Sequence, residues 1–220
     1  MTVLTCGSLI NGVQTTQLND VDKVTWDENL LISALNQALA MLVMARPDAS
    51  AKVVEFECAS GTRQKLPEDG LRLLKVVRNI KPDGLAGRAV RLVNMNDLDS
   101  IAPDWHSEPL RDAVSEYMFD DRSPKNFFVY PPAKAGVILD IEYSMVPDEV
   151  TSMAQVLPVD LIYQQPLQEF MLYKLLSGES GQGQGVQHLS TALALLGAKP
   201  ELDQFFKPVS PRHKATGVTS

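Results

Sequence analysis

The side chains best suited to chemistry are few and scattered along the chain. His106 follows Asp104 and Trp105, and a histidine two residues from a carboxylate has the parts of a general base. The same stretch, Pro103-Asp104-Trp105, also reads as a turn anchored by a buried indole, and that plainer reading is carried forward. His106, His188 and His213 share no ligand-like spacing with one another or with Cys6 and Cys58, so no metal site is expected. Gly178-Glu179-Ser180-Gly181 lacks an intervening residue of a Gly-x-Ser-x-Gly nucleophile elbow. Gly181, Gly183 and Gly185 follow a helical pattern instead of a strand, so they read as a helix–helix linker, not a dinucleotide loop. Phe127, Phe128 and Tyr130 have the faces to stack on bases, yet Asp120 and Asp121 bring the charge that repels phosphate, and hairpin core is the expectation. No catalytic, cofactor-binding or metal-ligating residue is therefore assigned, and no cofactor is expected.

Composition alone does not assign a function, but it excludes several classes. The 220 residues are 45% apolar and 21% charged with net charge −7, enough to bury a core and stay in solution. The most apolar run, Leu39 to Ala45, is too short to cross a bilayer, and no membrane association is expected. Met1 to Ile10 has no basic residue ahead of its apolar ones and fails as a secretory signal, so action where the chain is made is expected. Two cysteines do not make a disulfide framework. Residues 1–150 carry 15 basic and 22 acidic side chains, whereas residues 151–220 carry five of each. From 199 to 220 the chain reads as an extended basic tail, with Pro200, Pro208 and Pro211 against helix and Phe205-Phe206 as an apolar pair.

The elements that would position these groups are helices at both ends of a β region. Thr25 and Glu28 have capping-box spacing, which predicts a helix over 26–45 with Leu31, Leu35, Ala38, Leu42 and Ala45 on its buried side and Pro47 as its stop. Alternation predicts strands at 52–58, 62–66, 71–78 and 88–93, with Ser60-Gly61 as a tight turn and 71–78 as a central strand. Residues 94–101 make at most a short helical turn. A hairpin is expected between 126–130 and 137–144, with Pro131-Pro132 opening its loop and Gly136 closing it. Helices follow at 161–176, burying Ile162, Phe170 and Leu176, and at 184–196, burying Val186, Leu189, Leu193 and Leu196 before a C′ glycine, Gly197. Pro166 either kinks the first of these or marks the start of its regular part. The fold class is α+β: a helical bundle packed with an antiparallel β-sheet and hairpin region, within a single domain over 1–198.

Several stretches taken in order resemble one family. They are the helix from Trp26 to Asp48, Gly61-Thr62-Arg63-Gln64-Lys65-Leu66-Pro67, Leu73 to Asn79, Pro103-Asp104-Trp105-His106, Tyr117 to Asp120, Pro124 to Pro132 and Leu172-Tyr173-Lys174. Together they resemble the head-to-tail adaptor proteins of short-tailed bacteriophages over roughly residues 20–200. Pro166 and the Gly/Gln run at 181–185 depart from that pattern and leave the course of the late helices open.

The resemblance implies a non-enzymatic virion protein at the head–tail junction, made in the host cytoplasm. Its copies would form a ring, twelve-fold in the family, that prolongs the DNA channel below the portal protein and docks the tail nozzle or tail tube protein and tail fibres. Genomic DNA would pass through without specific binding. On that frame Phe205, Phe206, Lys207, Arg212 and Lys214 are candidates to bind the portal, and Glu55, Glu57, Asp140 and Glu142 to line the channel as acidic groups that let DNA slide. The three helices would supply the lateral contacts of the ring. The rivals are another connector-layer protein, such as a stopper or tail completion factor, and a soluble hydrolase with its site near Asp104 and His106.

Overall fold

In a computed structural model, residues 4–179 and 183–197 are described. Thr5 caps α1 (Cys6–Gly12), its hydroxyl oxygen accepting from the Ser8 N–H at 3.2 Å. Cys6, Leu9, Ile10 and Val13 share the buried side. No element is expected here from the pattern read above; the Thr5 cap and that i, i+3, i+4, i+7 spacing are the signals that mark it.

Helix α2 (Glu28–Ala45) begins two residues later than its expected start, because Asp27, not Thr25, is its cap. The Asp27 carboxylate accepts from the N–H groups of Asn29 at 2.6 Å and Leu30 at 3.3 Å, and its charge suits the positive end of the helix. By length and composition α2 would suffice to cross a membrane, contrary to the reading from its longest apolar run. Its apolar side is instead packed into a core with α1, α4 (Gln164–Glu179) and α5 (Gly183–Leu195).

Residues 161–176 do not form one helix. Asp160 caps a 3₁₀ turn over Leu161–Tyr163, and α4 follows, which places Pro166 in its first turn, where the missing N–H costs nothing. Ile162, expected inside, is consequently 74% exposed. Val186 is likewise exposed, and Ala192 takes the fully buried place on α5. Gly185 lies within the first turn of α5, pressed against Tyr173 and Ser177 of α4, so it is a contact and not a linker; Gly181 lies outside the described residues. Gly197 has φ +68° and ends the turn after α5 as expected of a C′ glycine.

Among the described residues eight strands form two four-stranded sheets: β1 (Ala51–Glu57), β2 (Gly61–Lys65), β3 (Gly70–Ile80), β4 (Ala86–Ala89), β5 (Arg91–Leu92), β6 (Glu116–Phe119), β7 (Asn126–Ala133) and β8 (Ile138–Met145). Their orders are β1-β8-β3-β4 and β2-β7-β6-β5, antiparallel except for β5 beside β6. The expected hairpin between 126–130 and 137–144 does not form, and the Ser60-Gly61 turn does not join paired strands. β1 and β2 lie in different sheets, as do β7 and β8, so the Ser60-Gly61 and Lys134–Val137 connections are corners between sheets. Those corners are tied to each other, Cys58 N–H donating to Val137 O at 2.8 Å and Gly136 N–H to Cys58 O at 3.2 Å. Pro131 and Pro132 sit inside β7, beyond its last pair with β6 and opposite the irregular stretch of β2, where no ladder N–H is required. The expected strand over 88–93 divides at buried Val90, and α3 (Met95–Ile101) follows.

The two sheets enclose a second core around Leu73, Val76, Phe127, Leu139, Ile141 and Tyr143. β3 is interior to its sheet, as expected, but buries every third residue, Gly70, Leu73, Val76 and Asn79. Bulges opposite β8 after Gly70, Leu73 and Val76 produce that period.

Candidate assembly surface

The outer side of the first sheet is fixed by register. Glu55 on β1 lies opposite Asp140 on β8, and Asp140 opposite Arg78 on β3; one pair along, Val53, Glu142 and Lys75 align. Directly paired residues share a face, so Glu55, Glu57, Asp140 and Glu142 all point away from the core that holds Leu139, Ile141 and Tyr143. They are not equally displayed. Glu55 and Glu57 are exposed on the edge strand and Glu142 is half-buried, whereas Asp140 is 9% exposed and bound to Arg78, Nε to Oδ2 at 2.6 Å. The expectation of an open acidic row therefore fails at Asp140: β3 brings Arg72, Lys75 and Arg78 alongside the four acids, and the face carries both signs. Burial, reinforced by the charge of Glu57, pushes the Cys58 thiol at the end of β1 up to about 12, which keeps it protonated.

On the second sheet, His106 Nδ1 and Thr62 Oγ1 are 2.8 Å apart. The imidazole stacks on Trp105 with ring centres 3.7 Å apart. Trp105 is fully buried, and its indole N–H donates to Asp99 Oδ1 at 2.8 Å. The partner of His106 is thus Thr62 on β2, while Asp104 ends the preceding turn. A hydroxyl beside an imidazole has the elements of a nucleophile and base, but Thr62 is itself buried beneath that stack, and the arrangement fixes the 102–107 turn on the sheet. Of the three aromatics expected in the core only Phe127 is there, its ring centre 5.5 Å from that of Phe56. Alternation along β7 turns Phe128 and Tyr130 to the other face, half-buried against Trp105, and Val129 takes the second core place. Among the described residues no three His, Cys, Asp or Glu side chains gather as a metal would require.

Three groups escaped the sequence reading. Asn79, buried in β3, donates through Nδ2 to the carbonyls of Arg88 and Val114 and accepts from the Val114 N–H, so it ties β3 and β4 to the segment that leads into β6. Asn36 on α2 makes the same two-way bond with the backbone of Val150. Exposed Leu161 and Ile162 form an apolar step before α4. No sequence motif announces the asparagines, because their partners are backbone groups remote in sequence. The five proposed tail residues, Phe205, Phe206, Lys207, Arg212 and Lys214, lie outside the described residues.

The family model for the SU10 adaptor protein matches residues 4–212, nearly the whole chain. No curated protein matches it. A match of that extent takes in both cores, both sheets and the three long helices together, and the chain accordingly belongs to the SU10 adaptor protein family, the structural adaptors of bacteriophage particles.

Proposed function

We propose that the protein forms the head-to-tail adaptor ring of its phage, below the portal, extending the DNA channel and presenting a docking surface to the tail. The observation that carries this reading is the family match over 4–212. Closed rings of identical chains need two different patches that meet around a rotation, and the exposed apolar step at Leu161 and Ile162 suits one of them. Twelve copies are the expected number. Channel-facing roles for Glu55, Glu57 and Glu142, with Asp140 held behind them by Arg78, and portal binding by Phe205, Phe206, Lys207, Arg212 and Lys214 complete the proposal.

The mixed charge of the sheet face favours passage of DNA over retention, since phosphate binding requires a net basic surface. The test is a reconstruction of the particle: this chain should occupy the layer directly beneath the portal in a closed ring. Density for it in the tail tube, or in no ring at all, overturns the proposal.

A further inference from the structure

An open groove of about 490 Å³ lies at the seam between the helices and the first sheet, a size usual for clefts that hold a ligand. Val43 and Met44 at the end of α2, Leu71 at the start of β3, and Val146 give it apolar walls, and Ser144 lies against it. Met44 is 84% exposed. The Ser144 hydroxyl is buried beneath the groove wall with no hydrogen-bond partner among the described residues.

The end of the described chain comes to the same place. Arg46 Nη1 donates to Leu196 O at 3.1 Å, which pins the last turn of α5 to the end of α2, and the residues flanking Arg46, Met44 and Pro47 among them, line the groove. Beyond Gly197 the sequence continues for residues 198–220. Phe205 is eight residues on, a reach of up to about 28 Å. Pro200 and Pro208 disfavour helix on both sides of Phe205-Phe206, the only aromatic residues in that stretch.

We propose that the segment 198–220 occupies this groove of its own subunit before assembly. The apolar walls at Val43, Leu71 and Val146 suit an aromatic pair, and the thioether of Met44 makes favourable contacts with aromatic rings. The seating requires neither the ring nor the portal, so it stands or falls on the lone subunit. Its consequence for assembly is a latch: the aromatic pair is withheld until a better site displaces it.

Disulfide trapping tests this, because Cys6 and Cys58 are both buried and leave the folded subunit without a competing thiol. The purified monomer carrying Met44→Cys and Lys207→Cys should oxidise to an intramolecular disulfide about tenfold faster than one carrying Gln37→Cys and Lys207→Cys, since Gln37 is exposed on the same helix about 10 Å away and the tether alone supplies similar effective concentrations to both. Equal rates, or only intermolecular dimers, overturn the proposal. In a second measurement, the single Met44→Cys thiol should react with a soluble maleimide several-fold faster after residues 198–220 are deleted, roughly as expected when a covered group is opened to solvent. An unchanged rate also overturns it.

Discussion

Asp20 organises the loop between α1 and α2 through one carboxylate. It accepts from Gln14 Nε2 at 3.0 Å and from the N–H groups of Val24, Thr25 and Trp26. Those bonds, the Gln14 amide first, lower its pKa from the ordinary 3.8 to about 2. A depressed carboxylate adds stability above its unfolded value that is lost as pH falls toward its folded one. Protection of the 18–27 amides against hydrogen exchange, taken relative to their intrinsic rates, should therefore fall between pH 3.8 and about 2 in the native chain, and Asp20→Asn should remove that step. The Arg78–Asp140 pair makes a different demand. Removing the guanidinium in Arg78→Met leaves a nearly buried carboxylate alone, at a cost of about 1–2 kcal/mol after allowance for the exposed arginine. Denaturant midpoints should show most of that loss recovered in Arg78→Met with Asp140→Leu.

The elements were legible where their signal is local. Leu31, Leu35, Ala38 and Leu42 announce α2 because one helix face meets one core, and Pro47 stops it as expected. The Asp27 cap was misread because Thr25 and Glu28 offer an equally good local pattern, and only the bonds of Asp20 to residues 24–26 decide between them. Pairing was not legible. A short turn rich in Gly, Ser or Pro between alternating segments serves a hairpin and a corner between two sheets alike, and only the partner strand distinguishes them. β3 hides its alternation in the same way, since its period of three arises from bulges against β8. Gly185 tests the helix contact. A Cβ there would fall against the Ser177 hydroxyl and 3.0 Å from the Tyr173 carbonyl oxygen; the hydroxyl can turn away, the carbonyl cannot. Gly185→Ala should cost about 1–3 kcal/mol in thermal or denaturant unfolding, as overpacking does.

At the scale of the whole molecule, two cores meet at a seam, and what the subunit offers to others lies on its surface. Leu161 and Ile162 are exposed although they immediately precede a buried helix, so replacing both with aspartate should leave the melting temperature unchanged within experimental error. The same double variant should fail to join a ring on portals, read by native mass spectrometry; a ring of normal mass would move the lateral contact elsewhere. The fold class could be read from the sequence, whereas the assembly surface could not, because exposure of particular apolar residues follows from packing that no periodicity records. The pairing of β1 with β8 also sets the order of events during synthesis. Ala51 finds its partner Ser144 roughly ninety residues later, which at 5–20 residues per second leaves β1 outside the ribosome for about 5–20 s with nothing to pair with. Through that interval Lys52, Glu55 and Glu57 are its protection, since charges along an unpaired strand discourage the strands of other nascent chains from adding to it.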